Sequence, residues 1–373
     1  MGVEKMIIPK IQKIEAIKFD MPFSTSLRYG SKGHLKKGDH VLVRVTTDDG
    51  ITGLGEAWAQ PDILGESQAS ICWAVEQWIA PRLEGIPLFA IEKVWDQIEN
   101  ICANNTAKGA VDIAIHDALA RSLGIPLYKL LGGWTDRIPL TWIIGQTGTD
   151  EMIEEGLEAQ KRGFNSFKIK IGIDSQKDVE VIRLARQELG DDTFIYVDAN
   201  QAYSYHQASK VLPIMANYGI AMAEDPIPNW DTQGRLRLSR QIGVPILGDE
   251  CVTSPYDVKR EIDLGVISVM NVKTPRTGYY QSRKAIHLAE QGGIRCLIGT
   301  LVETDIGVLA SAHFGAAFKI FSYPAELTYF LKMEDTLLKD PLRVEDGMLY
   351  LPDKPGLGAE LDEEKLEHYR QGE

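Results

Sequence analysis

Cysteine is scarce in this sequence of 373 residues, and Cys72, Cys102, Cys251 and Cys296 lie far apart along the chain. They lack the paired spacing of a zinc site, and we expect reduced thiols without disulfides, as in a cytoplasmic protein. No apolar run approaches the roughly 18 residues of a membrane span, and no signal-peptide core is visible near residue 1. The sequence therefore argues against disulfide-rich, secreted and membrane-spanning proteins.

Positive charge is also in short supply. The chain has 40 lysine and arginine residues against 53 acidic ones, a net charge of −13 and a pI near 5.1. Nucleic acids and anionic membranes would gain no Coulombic attraction from such a surface, so we predict neither as a partner. The 44% hydrophobic content is nevertheless sufficient for sizeable cores.

Local patterns divide the chain into three segments. Residues 40–58 alternate around Asp49-Gly50, a hairpin signal, and helical periodicity over 66–131 ends before Gly132-Gly133. We predict an α+β domain over 1–133, a (β/α) barrel over 134–335, and a segment over 336–373 that packs back on the first domain. The predicted barrel strands lie at about 139–145, 166–171, 194–198, 220–224, 245–249, 267–273, 294–299 and 319–323.

Three acidic residues end three successive predicted strands. Asp198 lies in IYVDAN, Glu224 in AMAEDP and Asp249 in PILGDE, spaced by roughly 25 residues, which is the length of one βα unit. This spacing brings the carboxylates together at the mouth of the barrel, where active sites of this fold lie. Three converging anions are costly unless paired, and an oxygen-rich trio suits Mg²⁺ or Mn²⁺.

Lysines lie on both flanking strands. Lys168 and Lys170 alternate with Ile169 in FKIKIG, so both point into the barrel, and Lys273 ends the strand that follows Asp249. A dication and a second ammonium group nearby would lower the lysine pKa values, so we expect these residues to carry protons in catalysis. The alternative is that lysines and carboxylates form structural salt bridges.

These motifs resemble the enolase superfamily, specifically its muconate lactonizing enzyme subgroup. The resemblance extends to DDGITGLGEA, to AVDIAIHDALARSLGIPLYKLLGG and to the closing PGLGAELDEEKL, so it spans nearly the whole chain. It implies a (β/α)₇β barrel with an α+β capping domain that the C-terminal segment completes. It also implies a small-molecule carboxylate substrate and a homo-oligomer, commonly an octamer.

By this resemblance, Asp198, Glu224 and Asp249 correspond to the ligands of a divalent ion, Mg²⁺ or Mn²⁺. In such enzymes the ion holds a substrate carboxylate and stabilises the enolate that forms beside it. A lysine or histidine base acting beside Mg²⁺ is the known pattern of enolase-superfamily sites, so the chemistry comes here from the family and not from the residue spacing.

The resemblance assigns the remaining polar residues as well. Lys170 and Lys273 correspond to acid/base lysines on opposite faces of the substrate, and Lys168 to the residue that lowers the pKa of Lys170. Asn200 and Glu250 correspond to positions near the metal ligands. The predicted seventh strand, IRCLIGT, has no histidine, which disfavours the mandelate-racemase and sugar-dehydratase types.

The eighth predicted strand bears on the substrate. Dipeptide epimerases carry Asp-x-Asp there, whereas this chain reads Tyr323-Pro324-Ala325-Glu326-Leu327. Muconate cycloisomerases carry Glu-Leu-Phe-Gly-Pro-Leu, which Glu326-Leu327 resembles and Thr328-Tyr329-Phe330 does not. Glu326 then corresponds to a proposed proton donor. The exit of the sixth strand also differs, with Pro275-Arg276-Thr277-Gly278 where paired glycines are usual.

Three further residues are candidates for substrate contact. Arg28 lies in a basic flap, SLRYGSKGHLKKGD, that we expect to attract a second substrate carboxylate, the alternative being a solvated loop. Trp58 and Glu303 are each assigned to the substrate site or to a purely structural role.

The function we predict is divalent-metal-dependent, muconate cycloisomerase-like lactonisation. The main alternative is a racemase or epimerase, or a dehydratase, acting on N-acyl amino acids or proline derivatives with the same lysine pair. A metal-binding protein without catalysis is the third possibility.

Overall fold

The structure is a computed structural model that describes residues 8–29 and 33–371, and of residues 25–34 it describes no side chains. Its N-terminal part begins with an antiparallel sheet in the order β1-β2-β3, formed by Ile11–Tyr29, Gly33–Thr47 and Thr52–Trp58. The turn at Asp49-Gly50 joins β2 to β3 as predicted, with Gly50 at φ +86°. Strands β1 and β2 extend past the sheet as a long two-stranded arm.

Helices cover one face of this sheet. They are α1 (Pro61–Leu64), α2 (Gln68–Trp73), a π-helix (Ala74–Ile79), α3 (Ala80–Leu83), α4 (Ile91–Ile98), α5 (Asn105–Ser122) and α6 (Leu127–Leu131). Helix α5 lies against β3 at very short range, since a Cβ atom on Gly53 would lie 2.1 Å from the Ala114 carbonyl oxygen. Glycine is required there because no side chain fits between strand and helix.

Seven parallel strands form the barrel sheet, in the order β11-β10-β9-β8-β7-β6-β5. They are β5 (Trp142–Ile144), β6 (Ser166–Lys170), β7 (Phe194–Asp198), β8 (Ala223–Glu224), β9 (Ile246–Gly248), β10 (Val269–Val272) and β11 (Arg295–Ile298), preceded by β4 (Arg137–Pro139). Helices α7 (Thr149–Lys161), α8 (Ser175–Leu189), α9 (Tyr205–Asn217), α10 (Thr232–Ser239), α11 (Pro255–Leu264), α12 (Thr274–Gln291) and α13 (Asp305–Ala317) alternate with them. This arrangement confirms the predicted barrel and capping domain.

The barrel closes through an irregular eighth segment. We predicted a strand at about 319–323, but this segment makes only isolated bridges, Phe321 to Cys296 and Ala325 to Leu140. Backbone hydrogen bonds still connect it to both neighbours, with Glu326 N–H donating to Ile298 O at 2.8 Å. The irregular backbone places Glu326 at the mouth, beyond the end of the predicted strand.

The C-terminal segment contacts both parts of the chain. Strand β13 (Met348–Tyr350) pairs with β12 (Val344–Glu345) and with β4 at the start of the barrel. A short 3₁₀-helix (Tyr329–Lys332) precedes it, and α14 (Glu363–Tyr369) follows it and packs beside β1. No helix within the described ranges is both long enough and apolar enough to span a bilayer.

A buried carboxylate joins the capping domain to the barrel. Glu56 on β3 accepts hydrogen bonds from the Thr304 N–H at 2.8 Å and the Gly307 N–H at 2.8 Å, at the start of α13. It also accepts one from Thr304 Oγ1 at 2.6 Å and pairs with His40. The carboxylate thereby satisfies backbone donors that the first turn of a helix leaves free.

Candidate active site

The three predicted acidic residues meet at the carboxyl ends of neighbouring strands. Asp198 ends β7, Glu224 ends β8 and pairs with it in register, and Asp249 directly follows β9. Each of these side chains is at most 1% exposed. Burial of three carboxylates requires compensating positive charge close by.

Lys168 supplies part of that charge. Its side chain is 2% exposed, and its Nζ lies 3.0 Å from Asp198, 2.7 Å from Glu224 and 2.9 Å from Glu326. The position follows from β6, whose alternation directs Lys168 and Lys170 to the interior of the barrel. Lys168 is thus the central cation among buried anions.

The other two lysines each contact one of the acidic residues. Lys170 Nζ donates to Asp198 Oδ2 at 2.6 Å and to Asn200 Oδ1 at 2.7 Å. Lys273, at the end of β10, donates to Asp249 Oδ2. These charges hold the pKa of Asp198 below its ordinary value and lower that of Asp249 to about 2, although burial opposes both shifts.

The predicted lowering of the lysine pKa values concerns a site that holds a dication, and it stays a prediction. Burial does favour the neutral amine, but the charge of Asp198 outweighs it and raises the pKa of Lys170 to about 12. Asp249 likewise raises the pKa of Lys273. The prediction assumed that the carboxylates would be occupied elsewhere, whereas here they pair directly with the ammonium groups.

The chemistry of the centre fits a divalent cation, although its side chains are not arranged as a finished metal shell. In the described ranges no three acidic, cysteine or histidine side chains are grouped to hold an ion, and Lys168 lies between Asp198 and Glu224. The pKa of Glu224 is well above its ordinary value, because it is buried and the charges of Asp198 and Glu326 repel its own. A dication would relieve that repulsion, and carboxylate oxygens are its preferred ligands.

Glu326 lies at the base of this centre, with both oxygens engaged. Oε1 accepts from Lys168 at 2.9 Å and from the Tyr196 hydroxyl at 2.6 Å, and Oε2 accepts from Asn271 at 3.0 Å. Our sequence reasoning missed Tyr196, and it included Asn271 in the motif Asn271-Val272-Lys273 without giving it a role. The signal was present, since Tyr196 is two residues before Asp198 and Asn271 two before Lys273, which places them on the same inward faces.

A cavity of about 80 Å³ opens above these groups. Lys168, Lys170 and Lys273 all line it, as do Asn200, Glu250 and Glu326. Its remaining lining is mostly apolar and comes from both domains, namely Leu35, Trp58, Ile63, Ile143, Thr300, Leu301, Val302 and Tyr329. The capping domain thus covers the barrel mouth, and Trp58, which is 2% exposed, belongs both to the cavity wall and to the core.

The other sequence candidates have different positions. Glu303 is buried beside the cavity wall, where its Oε2 accepts from Thr300 Oγ1 and from the Leu301 N–H at 2.7 Å. Glu250 accepts from the Asn200 side chain at 3.2 Å. Arg28 is placed on β1, but its side chain lies outside the described part of the chain, as does residue 32. Lys37 of the same flap pairs with Asp20.

Arg276 contacts Asp249 on the side away from the catalytic cavity. Our sequence reasoning noted this residue only as a departure from the family pattern. Its Nη1 donates to Asp249 Oδ1 at 3.0 Å, and its Nη2 lies 3.3 Å from the Asp249 carbonyl oxygen. Asp249 therefore has a cation on each side, Lys273 facing the cavity and Arg276 facing away from it.

Together these features define an α/β-barrel enzyme with a capping domain and buried lysines beside a carboxylate cluster. Comparison with known families agrees. Residues 15–132 match the mandelate racemase / muconate lactonizing enzyme N-terminal domain, and residues 151–365 match the enolase C-terminal domain-like family. The chain belongs to the enolase superfamily, in the muconate lactonizing enzyme subgroup, which confirms the resemblance seen in the sequence, and it is an isomerase of that superfamily.

The similar proteins are named for different activities. The chain is 36% identical over 330 residues to muconate cycloisomerase 1 of Rhodococcus opacus, covering 86% of this chain and 88% of that one. It is 31% identical to N-succinyl-L-Arg/Lys racemase of Bacillus cereus, covering 93% of each. Among solved structures, muconate lactonizing enzyme of Mycobacterium smegmatis in complex with muconolactone superposes with a TM-score of 0.95 at 38% identity, covering 97% of this chain and all of that one.

Proposed function

We propose that this protein is a muconate cycloisomerase-like enzyme that closes a conjugated dicarboxylate into a lactone. The observation that carries the proposal is the small cavity with a lysine on each side. Its volume is about 80 Å³. A flat, compact dicarboxylate suits this volume better than an N-acylated arginine, lysine or dipeptide does.

The residues divide the chemistry among them. Asp198, Glu224 and Asp249 would hold a divalent ion, Mg²⁺ or Mn²⁺, whose positive charge would bind one substrate carboxylate and stabilise negative charge next to it. The second carboxylate forms a carbon–oxygen bond across a double bond of the same molecule. Lys170 or Lys273 delivers a proton to the carbon beside the first carboxylate and regains one from solvent, so the dicarboxylate dianion takes up one proton and becomes a lactone with a single carboxylate.

Glu326 has a supporting role in this proposal. Its two oxygens already accept hydrogen bonds from three buried donors, which favours balancing the charge of Lys168 over donating a proton. The capping residues Leu35, Trp58 and Ile63 exclude water, which strengthens the electrostatic interactions in the cavity.

The direct experiment follows the ultraviolet absorbance of cis,cis-muconate with purified protein and Mn²⁺, using EDTA-treated protein as the control. Loss of the diene absorbance that depends on the metal supports the proposal. If the diene persists while calorimetry shows a bound ion, cycloisomerisation is refuted and the alternative below becomes the leading hypothesis.

The alternative is racemisation or epimerisation of an N-acyl amino acid or related derivative. The observation in its favour is that Lys170 and Lys273 both line the cavity, as a two-base reaction requires. Racemisation needs both lysines, because one removes the α-proton and the other returns it on the opposite face. Lactonisation needs only one, so comparing Lys170→Ala with Lys273→Ala separates the two reactions.

Three expectations from the resemblance accompany this proposal. A cation at Arg28 would meet the second carboxylate, and an unchanged KM for muconate in Arg28→Glu would refute that role. Competition between Mg²⁺ and Mn²⁺ in calorimetry would identify the preferred ion. Light scattering would measure whether the chain forms the expected homo-oligomer.

A further inference from the structure

A second cavity, of about 130 Å³, lies where the capping helices meet the barrel. It shares no lining residue with the catalytic cavity. From the capping domain it is lined by Trp95, Glu99, Asn105 and Lys108, and from the barrel by Thr253, Ser254, Pro255, Tyr256, Arg276, Thr277 and Gln281. Nothing in the proposed reaction uses this cavity.

Lys108 supplies the first cation of this cavity. Its side chain is 7% exposed, and its Nζ donates to the Ile101 carbonyl oxygen at 2.9 Å. Among the described residues no carboxylate forms a salt bridge with it, and burial lowers its pKa although the charge of Glu66 opposes this shift. An ammonium group has three donors, so Lys108 has capacity for a further acceptor.

Arg276 supplies the second cation. It is 7% exposed, and two of its nitrogens contact Asp249 on the far side of the cavity wall. Its Nε is buried and has no hydrogen-bond partner among the described residues. A buried donor left without an acceptor costs free energy, which a bound acceptor would recover.

The carboxylates near this cavity are engaged elsewhere or face solvent. Glu66 accepts from the Thr106 N–H at 3.1 Å and from Thr106 Oγ1 at 2.6 Å. Asp257 accepts from Thr253 and Ser254 and pairs with Arg260. Glu99 lines the cavity but is exposed, where water screens its charge.

An open groove of about 840 Å³ adjoins this cavity at the surface. The two share the lining residues Glu99, Pro255, Tyr256 and Gln281. The groove is lined further by Lys284, by His287 and by Lys259, whose charge pairs with Asp263. The charge of Lys284 attracts anions to the surface beside the cavity.

We propose that the cavity is a binding site for a small oxyanion, a carboxylate or a phosphate, held between Lys108 and Arg276. Both cations have donor capacity that no described side chain satisfies, and an oxyanion supplies several acceptor oxygens at once. The site is linked to the catalytic centre, because the same guanidinium group that faces the cavity also holds Asp249.

Titration calorimetry on the full chain tests this proposal with two probes, sodium succinate and inorganic phosphate, each against sodium chloride at matched ionic strength. We expect saturable binding of at least one probe, and which one binds identifies the carboxylate or phosphate source. In Lys108→Met, binding should weaken by about tenfold or more, because one charge-assisted contact is lost. Lys284→Met, which alters only the groove, should bind within about twofold of the parent protein.

A second variant, at a partly exposed position, tests the proposal independently in case Lys108→Met does not fold. Gln281→Glu places a negative charge at the cavity and should also weaken binding about tenfold. Absence of saturable heat with both probes up to about 10 mM overturns the proposal. So does binding that is equally strong in the parent protein, Lys108→Met and Gln281→Glu, because the oxyanion then occupies another place, such as the catalytic cavity.

Discussion

Acidification should destabilise the protein through His313, a fully buried residue of α13. Its Nδ1 accepts from the Tyr128 N–H at 3.1 Å, and its Nε2 donates to the Leu357 carbonyl oxygen at 3.0 Å. The imidazole is therefore neutral and connects the barrel to α6 and to the C-terminal segment. Burial lowers its pKa to about 4, from 6.5 in an unfolded chain.

The sign and size of the effect follow from linkage. Below pH 6.5 the unfolded chain binds a proton at His313 and the folded protein does not, so stability falls as the pH falls towards 4. The loss is about 2 kcal/mol at pH 5 and about 3 kcal/mol once the pH is well below 4. Above pH 7 the residue contributes no pH dependence.

The pH dependence of wild-type stability does not isolate His313, because Asp305 changes the free energy of unfolding in the opposite direction. Burial raises the pKa of Asp305 to about 6, so below that pH the folded protein binds the additional proton and gains stability. The control is His313→Gln, whose amide can accept from Tyr128 and donate to Leu357 but cannot titrate. The contribution of Asp305 is common to both proteins and cancels in their difference.

Urea unfolding of both proteins between pH 8 and pH 5 measures this difference. We expect the wild type to lose about 2 kcal/mol relative to His313→Gln over that range. A difference that stays constant within about 0.5 kcal/mol would show that His313 titrates normally in the folded protein, and the argument from burial would fail.

Three further predictions concern the domain contact, the sheet packing and the active site. Glu56→Gln should lower the free energy of unfolding by about 3 kcal/mol, because the variant loses the negative charge that accepts hydrogen bonds from the first turn of α13. The control Glu363→Gln, at an exposed position, should lower it by under about 1 kcal/mol. Equal effects of the two substitutions would contradict a special role of Glu56. In urea unfolding, Gly53→Ala should lower the free energy of unfolding by about 3 kcal/mol, because the added methyl group forces β3 and α5 apart. The control Gly50→Ala should lower it by about 1 kcal/mol, because Gly50 faces open space and only its positive φ disfavours alanine. Tyr196→Phe should lower kcat about tenfold with an unchanged circular dichroism spectrum, and full activity would show that its hydrogen bond to Glu326 is dispensable.

The sequence predicted much of the site, because the acidic residues and lysines recur at the ends of successive barrel strands. Asp198, Glu224 and Asp249 end successive strands, so a periodic βα pattern is enough to bring them to one end of the barrel. The alternation of Lys168 and Lys170 likewise follows from strand geometry alone. The roles of these residues in binding an ion and moving protons stay predictions.

The contacts that complete the site join residues far apart in the chain, so no local sequence pattern predicts them. Glu326 reaches Lys168 and Tyr196 only because the irregular eighth segment closes the barrel where we predicted a regular strand. Arg276 reaches Asp249 from the first turn of α12, where the sequence showed only that the usual paired glycines are replaced. Where Asp198 and Asp249 pair directly with Lys170 and Lys273, they raise the lysine pKa values, because the direction of a shift depends on which charges are in contact and at what distance.

The sequence by itself determined the barrel, the capping domain and the strand ends on which the acidic residues and lysines lie. These follow from hydrophobic periodicity, turn residues and strand alternation, which act over a few residues at a time. Only the tertiary structure decided that Lys168 lies between carboxylates, that Glu56 anchors one domain to the other, and that Lys108 and Arg276 share a second cavity. Those are matters of distance between separate elements, and the free energy of a charge depends on that distance and on the burial around it.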